Sequence, residues 1–464
     1  KVSDFAANHP TLDRICRPLG MYHVYTSVWF SAIYLLLFIS LIGCIVPRIV
    51  SHAKALRRQP PRVPARLDRL AAHASMTTSA SAAEVSQRAQ QWLKSHRYRF
   101  VVDDDGSLRA EAGRHRETGN LVFHIFLVFV LVGVGWNTLW GFKGTSVVVE
   151  GQGFSNSITQ YDEFKAGAMV DTDNLTPFSM KLRKFVVSFE TGTVQRGAAR
   201  SFDATVDLTM GGKTQTRDLQ VNHPLRIGST KVHLLGHGYA ADVVVRDGDG
   251  KVAYSGPVVF LPQDANFKSV GVIKAPDARP DRLAFQGFFL PTGAITAGGP
   301  TSLFPDALNP QLYLTAWYGK PTVETGVPSN IYTLDTTGLT QVTNGKDKAR
   351  FVLSPGQRYK LPDGKGSIQF NGWQRWAKIQ VSQNPGLPLT FLSVVLSVAG
   401  LCVSLFSRSR RVWVRTIPGD DGLRVEIGGL DRSDSRSGAV DDVNSLLAAL
   451  HGDSMSGDVG EEHS

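Results

Sequence analysis

Gly119–Trp140 reads GNLVFHIFLVFVLVGVGWNTLW, and from Leu121 to Trp140 it is unbroken by any charge. A helix needs roughly 20 apolar residues to cross the hydrocarbon core of a bilayer, so this stretch predicts a transmembrane span over 120–140. His124 is its one titratable side chain. An imidazole at that depth is costly and faces a partner, a cavity or a ligand, unless it is satisfied locally near the helix end or reaches the headgroups. The glycines at 133 and 135 allow close approach of a neighbouring helix, and Val128, Leu131 and Gly135 continue one face from His124.

Two further runs share this character. Val28–Val46 (VWFSAIYLLLFISLIGCIV) ends at Pro47-Arg48, and Tyr22, Tyr25 and Trp29 gather at its start, aromatic residues of the kind enriched at membrane interfaces. The third span, 386–406, is carried by PLTFLSVVLSVAGLCVSLF and followed at once by RSRRVWVR. Averaged over 464 residues, with 42% hydrophobic content and a net charge of +10, the chain would pass for a soluble protein; the average conceals these concentrations.

Charge placement sets the expected topology. Residues 47–119 hold fourteen Lys/Arg against seven Asp/Glu, crowded beside the spans. Basic flanks mark the cytoplasmic side, and their adjacency to two spans argues against nucleic-acid binding. The 28–46 span then runs inward and the 120–140 span outward. Residues 1–27 and 141–385 are expected outside the cytoplasm, and 407–464 within it. An outside start implies one more span upstream of Lys1. Within the basic loop, AAEVSQRAQQWLKSHRYRF has helical and then strand-like spacing, with a turn at Asp105-Gly106, predicting a small α/β unit. The tail after Arg415 is poor in bulky residues beyond Leu430 and rich in Asp, Ser and Gly, a composition expected to stay disordered apart from a weak helical turn around Leu446–Leu450.

Residues 141–385 alternate apolar and polar side chains over short runs such as TSVVVEG, KFVVSFE and ADVVVRD. Turn signals at Gly211-Gly212, Asp247-Gly248-Asp249-Gly250 and Asp363-Gly364 separate them, predicting an all-β domain. Asp247 and Asp249 lack the further carboxylates of a calcium loop and read as a turn. Gly287–Pro328, rich in proline, predicts a long exposed excursion. Trp373 and Trp376 precede the last span where an interfacial belt would lie.

Catalytic signatures are missing. There is no GxSxG, HExxH, P-loop or dinucleotide fingerprint, and nothing resembling a kinase or cyclase segment. Cys16, Cys44 and Cys402 have no redox or zinc spacing, and Cys44 and Cys402 fit small buried apolar roles. Of His223, His233 and His237, the last two would share one face of a regular strand, giving a secondary site for a metal or cofactor; half-exposed strand positions are the plainer reading.

The order of elements, together with SVWFSAIYLLLFISLIGCIVPR at 27–48, RETGNLVFHIFLVFVLVGV at 116–134, GTSVVVEGQGF at 144–154 and WAKIQVSQNPGLPLTFLSVVLSVAGLCVSLFSRSRRVWVR at 376–415, resembles the ResB family of System II cytochrome c biogenesis. The resemblance implies four spans, with the large domain outside between the third and fourth, in the plasma membrane. It implies haem b as transient ligand and substrate. It also implies a CcsA-type membrane partner, apocytochrome c as recipient, and a thioredoxin-like apocytochrome reductant nearby. The tryptophan-rich haem-handling motif belongs to the partner, so this chain would be at most one subunit of a holocytochrome c synthase, with no catalytic residue and no metal other than haem iron. His124 matches the family's axial haem ligand. A scaffold or a ligand-sensing envelope protein without haem chemistry is the alternative.

Overall fold

Among the described residues, seven α-helices punctuate a chain otherwise rich in strands. A computed structural model describes residues 2–321, 332–420, 422–431 and 437–451. The acidic end of the tail and the last part of the proline-rich stretch lie outside the described residues. The chain divides into two units, residues 1–135 with 386–464, and residues 136–385.

In the first unit, Pro10, Pro18 and Gly20 leave room only for short helices, α1 (Val2–Asn8) and α2 (Pro10–Cys16). The long helix α3 (Val28–Arg57) starts at Ser27, whose hydroxyl accepts from the Phe30 amide. It runs through Pro47, where the sequence suggested an end. A proline ring inside a helix crowds the carbonyl four residues back; that residue is Gly43, and a Cβ there would meet nothing within 4 Å. Arg99 and Arg114 donate to the terminal carbonyls of Ala55, Leu56 and Arg58 and so cap the helix end.

After α4 (Ala82–Ser95) come α5 (His115–Trp140) and α6 (Leu387–Phe406). α3, α5 and α6 are each long and apolar enough to cross a membrane, with mean hydropathy of 2.4, 2.0 and 2.3. Their large side chains are widely exposed, Leu36 at 68% and Phe391 at 70%, as a lipid-facing surface requires. Where α5 and α6 meet, the contact is made by small residues. A Cβ on Gly119 would lie 2.6 Å from the Gly400 carbonyl oxygen, and one on Gly400 would lie 2.8 Å from the Phe123 nitrogen. Ser397 on the same face of α6 donates to the Phe123 carbonyl at 3.2 Å. Gly133 similarly meets Thr390, whereas Gly135 has only the Tyr34 hydroxyl, at ordinary contact distance. Without a hydrophobic drive between helices in lipid, such close backbone approach supplies the association energy.

The tail departs from its composition. Residues Arg410–Gly419 and Gly422–Asp431 form a hairpin that enters a five-stranded antiparallel sheet between Ala72–Thr78 and Leu108–Ala112, with Arg99–Val102 at the far edge. Helix α7 (Ser437–His451) then packs beside α4. Val85, Ala89, Trp92 and Leu93 of α4 and Ala439, Val443, Leu446 and Leu450 of α7 are buried at helical spacing in one core. Ser81 and Glu84 close a reciprocal cap on α4. Asp442 ties α7 down by accepting from Tyr98 at 2.7 Å and Arg410 at 2.8 Å. The tail's few apolar residues suffice because the loop at 72–112 supplies the other half of the core.

The second unit is all β. Thr230–Arg246 and Ser367–Gln383 pair antiparallel along their whole lengths at the centre of a twelve-stranded sheet. One end of this ribbon serves a core of Tyr239, Val243, Phe260, Phe285, Phe289 and Phe370; the other end serves Phe154, Leu182, Val206, Val232 and Val381, beside the four-stranded sheet. Asp247 holds its turn by accepting from the amides of Asp249 at 3.0 Å and Lys251 at 2.9 Å, the role its sequence suggested.

Two expectations fail here. Trp376 is buried, its indole N–H donating to the carbonyls of Tyr239 and Phe260, so it belongs to the β core and not to an interfacial belt. The described part of the proline-rich stretch is no exposed excursion: it forms the hairpin Gly293–Thr296 with Gly299–Ser302 and the strand Gln311–Gly319. Between them, the carbonyl of Pro305 accepts from Tyr239 at 2.7 Å, and Asp306 pairs with Arg375 at 2.6 Å.

Candidate functional site

α3 and α5 run antiparallel. The Tyr34 hydroxyl donates to the Leu131 carbonyl near one end, and His52 meets Thr118 at 3.0 Å near the other. Between these ties the helices leave a groove of about 330 Å³, lined by Leu37, Leu41, Cys44 and Arg48 of α3 and by Leu121 and His124 of α5. Leu131 and Gly135, read as continuing the face of His124, lie beside Tyr34 at the contact that closes the groove.

His124 is half-buried, with Phe123 edge-on to its ring at 4.9 Å. Its Nδ1 lies 2.8 Å from the Asn120 carbonyl oxygen. A carbonyl can only accept, so Nδ1 carries a proton there, and Nε2 is the ring nitrogen left for a ligand. A backbone acceptor behind one ring nitrogen fixes the tautomer and orients the other nitrogen as a ligand. The side chain thus turns Nε2 toward a mainly apolar groove.

Two residues of the groove depart from what their sequence positions suggest. Arg48 looked like a topological flank and Cys44 like a buried apolar residue; both are exposed and line the same groove as His124. Only the pairing of α3 with α5 brings them there, and no local motif announces it. Cys402 is also exposed, Cys16 is intermediate, and all three thiols are free.

The secondary histidines separate. A bulge between Leu234 and Gly236 shifts the register, so His233 sits opposite Gln380 while His237 sits opposite Ala377. The extra residue reverses the alternation and sends the two side chains to opposite faces of the sheet, ruling out joint ligation by them. His233 is partly exposed, and desolvation, with Lys231 nearby, holds its pKa below the usual value. His223 is exposed, its Nδ1 3.2 Å from the Val221 carbonyl.

His237 is buried. It stacks on Phe267 at 4.6 Å, with Phe185, Phe189 and Phe202 around it. Its Nδ1 makes no hydrogen bond. Burial first, and then the Arg375 guanidinium, push its pKa down to about 4, so the ring is neutral at pH 7. Among the described residues, no group of three or more His, Cys, Asp or Glu is placed to hold a metal ion.

The sequence model of the ResB-like family matches residues 1–440. The chain belongs to the ResB-like family. Among its relatives in that family, the cytochrome c biogenesis protein CcsB of Synechococcus sp. (strain JA-3-3Ab) is 24% identical over 406 residues, covering 86% of this chain and 72% of the relative. CcsB of Trichormus variabilis is 23% identical over 422 residues, covering 90% and 76%. CcsB of Picosynechococcus sp. is 28% identical over a shorter stretch of 211 residues, 45% of this chain and 42% of the relative. The ResB-like match takes in all three membrane-capable helices, the β unit and the tail hairpin.

Proposed function

We propose that this ResB-like protein works in cytochrome c maturation, receiving haem within the membrane on His124 and supporting its delivery to apocytochrome c together with a CcsA-type membrane partner. The observation that carries the reading is the His124 imidazole, fixed through Nδ1 on Asn120 with Nε2 left as a donor in a groove between two membrane-capable helices. Haem iron takes a neutral imidazole nitrogen, and apolar walls such as Leu37, Leu41 and Leu121 suit the macrocycle. The names of the relatives support the pathway, and the family supports the partner. Haem is here the cargo, and no described cluster offers a catalytic constellation of its own. The chemistry of thioether formation, with any synthase activity, is assigned to the complex. In this reading the sheet built from 72–112 and 410–431 lies in the cytoplasm and the β unit lies outside the plasma membrane.

The test is genetic. Deletion of the gene should abolish covalently haem-stained c-type cytochromes. Restored His124→Ala protein should insert at normal levels and mature few of them, with partial recovery on added imidazole. Normal cytochrome c in the deletion strain rejects the pathway; normal cytochrome c with His124→Ala rejects the residue.

A further inference from the structure

The groove at His124 does not end at Arg48. Arg48 also lines a second cavity, of about 510 Å³, together with Arg116, Glu117 and Asn120 of α5, Ser404 of α6, and Arg408 just beyond it. Arg116 and Glu117 in turn line a third, of about 580 Å³, at the level of His52 and Arg114. The three cavities form one series that begins among charged residues and ends among apolar ones at His124. Along α5 the series spans the eight steps from Arg116 to His124, about 12 Å at the helical rise.

We propose that Arg48 reads the carboxylate edge of the porphyrin whose iron His124 binds, and that the basin of Arg116 and Arg408 is the mouth through which this dianion enters. The proposal rests on the haem reading of His124 and adds the orientation of the cargo. Arg48 is the one charged residue on the wall of the His124 groove. It lies one turn past Cys44, at the end of the groove opposite Tyr34. A ring seated on His124 therefore meets a cation at this edge and apolar side chains on the others. Three arginines against one glutamate leave the basin two positive charges in excess, which matches a dicarboxylate. An arginine beside lipid is costly unless it snorkels or finds a counter-charge, and a guanidinium fork suits a carboxylate.

The test uses the full chain in detergent micelles, titrated with haem and with haem dimethyl ester and followed by the Soret band. The ester keeps the iron and ring and removes both negative charges. Arg48→Gln should weaken haem binding about ten-fold, the size of one charge-assisted contact, and leave ester binding unchanged. The band shape, reporting iron ligation, should stay that of the unsubstituted protein, and Arg48→Lys should recover part of the loss. Equal effects on both ligands, or none on either, with His124→Ala still abolishing the band, would overturn the Arg48 assignment and leave the haem site standing. Binding of both ligands to His124→Ala as to the unsubstituted protein, or to neither protein, would overturn the site itself.

Discussion

His237 allows a prediction whose size follows from its surroundings. The ring is neutral in the folded protein down to about pH 4, because four phenyl rings and the Arg375 guanidinium oppose its charging. Arg375 is itself paired with Asp306, so burial is the larger of the two causes. In the unfolded chain the same histidine titrates near its ordinary value of about 6.5. Between these values the unfolded state binds more protons, so stability rises with pH and is lost as pH falls from 6.5 towards 4. One pKa unit corresponds to about 1.4 kcal/mol, so this one group costs about 2 kcal/mol by pH 5 and about 3 kcal/mol by pH 4. Amide hydrogen exchange of 230–246 and 367–383 in the intact micellar protein reads the opening free energy of that ribbon. His237→Phe keeps a flat ring and removes the titration. The difference between the two proteins at pH 7 is the packing baseline, and the variant should gain on it by about 2 kcal/mol at pH 5. A difference that stays flat from pH 7 to pH 4, or that runs the other way, refutes the argument.

Other outcomes follow from the helices and the tail. Gly400→Ala forces a Cβ to within 2.8 Å of the α5 backbone and should lower the thermal midpoint of the solubilised protein, while Gly43→Ala, with nothing within 4 Å, should leave it unchanged. Leu446→Ala empties a fully buried position of the core that joins α7 to the sheet. It should cost about 2–5 kcal/mol and open the tail to limited proteolysis; an unchanged digest would contradict the docking of α7. For the topology, with the three native cysteines replaced, a cysteine at Asp249 should react with a membrane-impermeant reagent in intact cells and one at Asp104 should not. The reverse pattern inverts the assignment of sides.

Legibility in the sequence tracked the range of the forces involved. The three spans and the turns at Asp105-Gly106 and Asp247 were readable because a charge-free run or a local turn determines them. Helix ends were less so: α3 passes Pro47, where a local reading ends the helix. The tail misled because a core shared with residues 300 positions away needs few apolar side chains from either partner. His233 and His237 were placed together by strict alternation, which one bulged residue reverses. At the candidate site His124 stood out alone, as the single titratable group in its run. Cys44 and Arg48 did not, since nothing in a sequence states which face of α3 meets α5.

The central claim is that the His124 Nε2 binds haem iron. Low-temperature electron paramagnetic resonance of the oxidised haem that copurifies with the protein and its membrane partner reports the axial ligands directly. Unsubstituted protein should give a signal of imidazole ligation. His124→Ala, inserted and still assembled, should lose that signal together with most of the haem, and added imidazole should bring it back. An unchanged signal and haem content in His124→Ala would contradict the account.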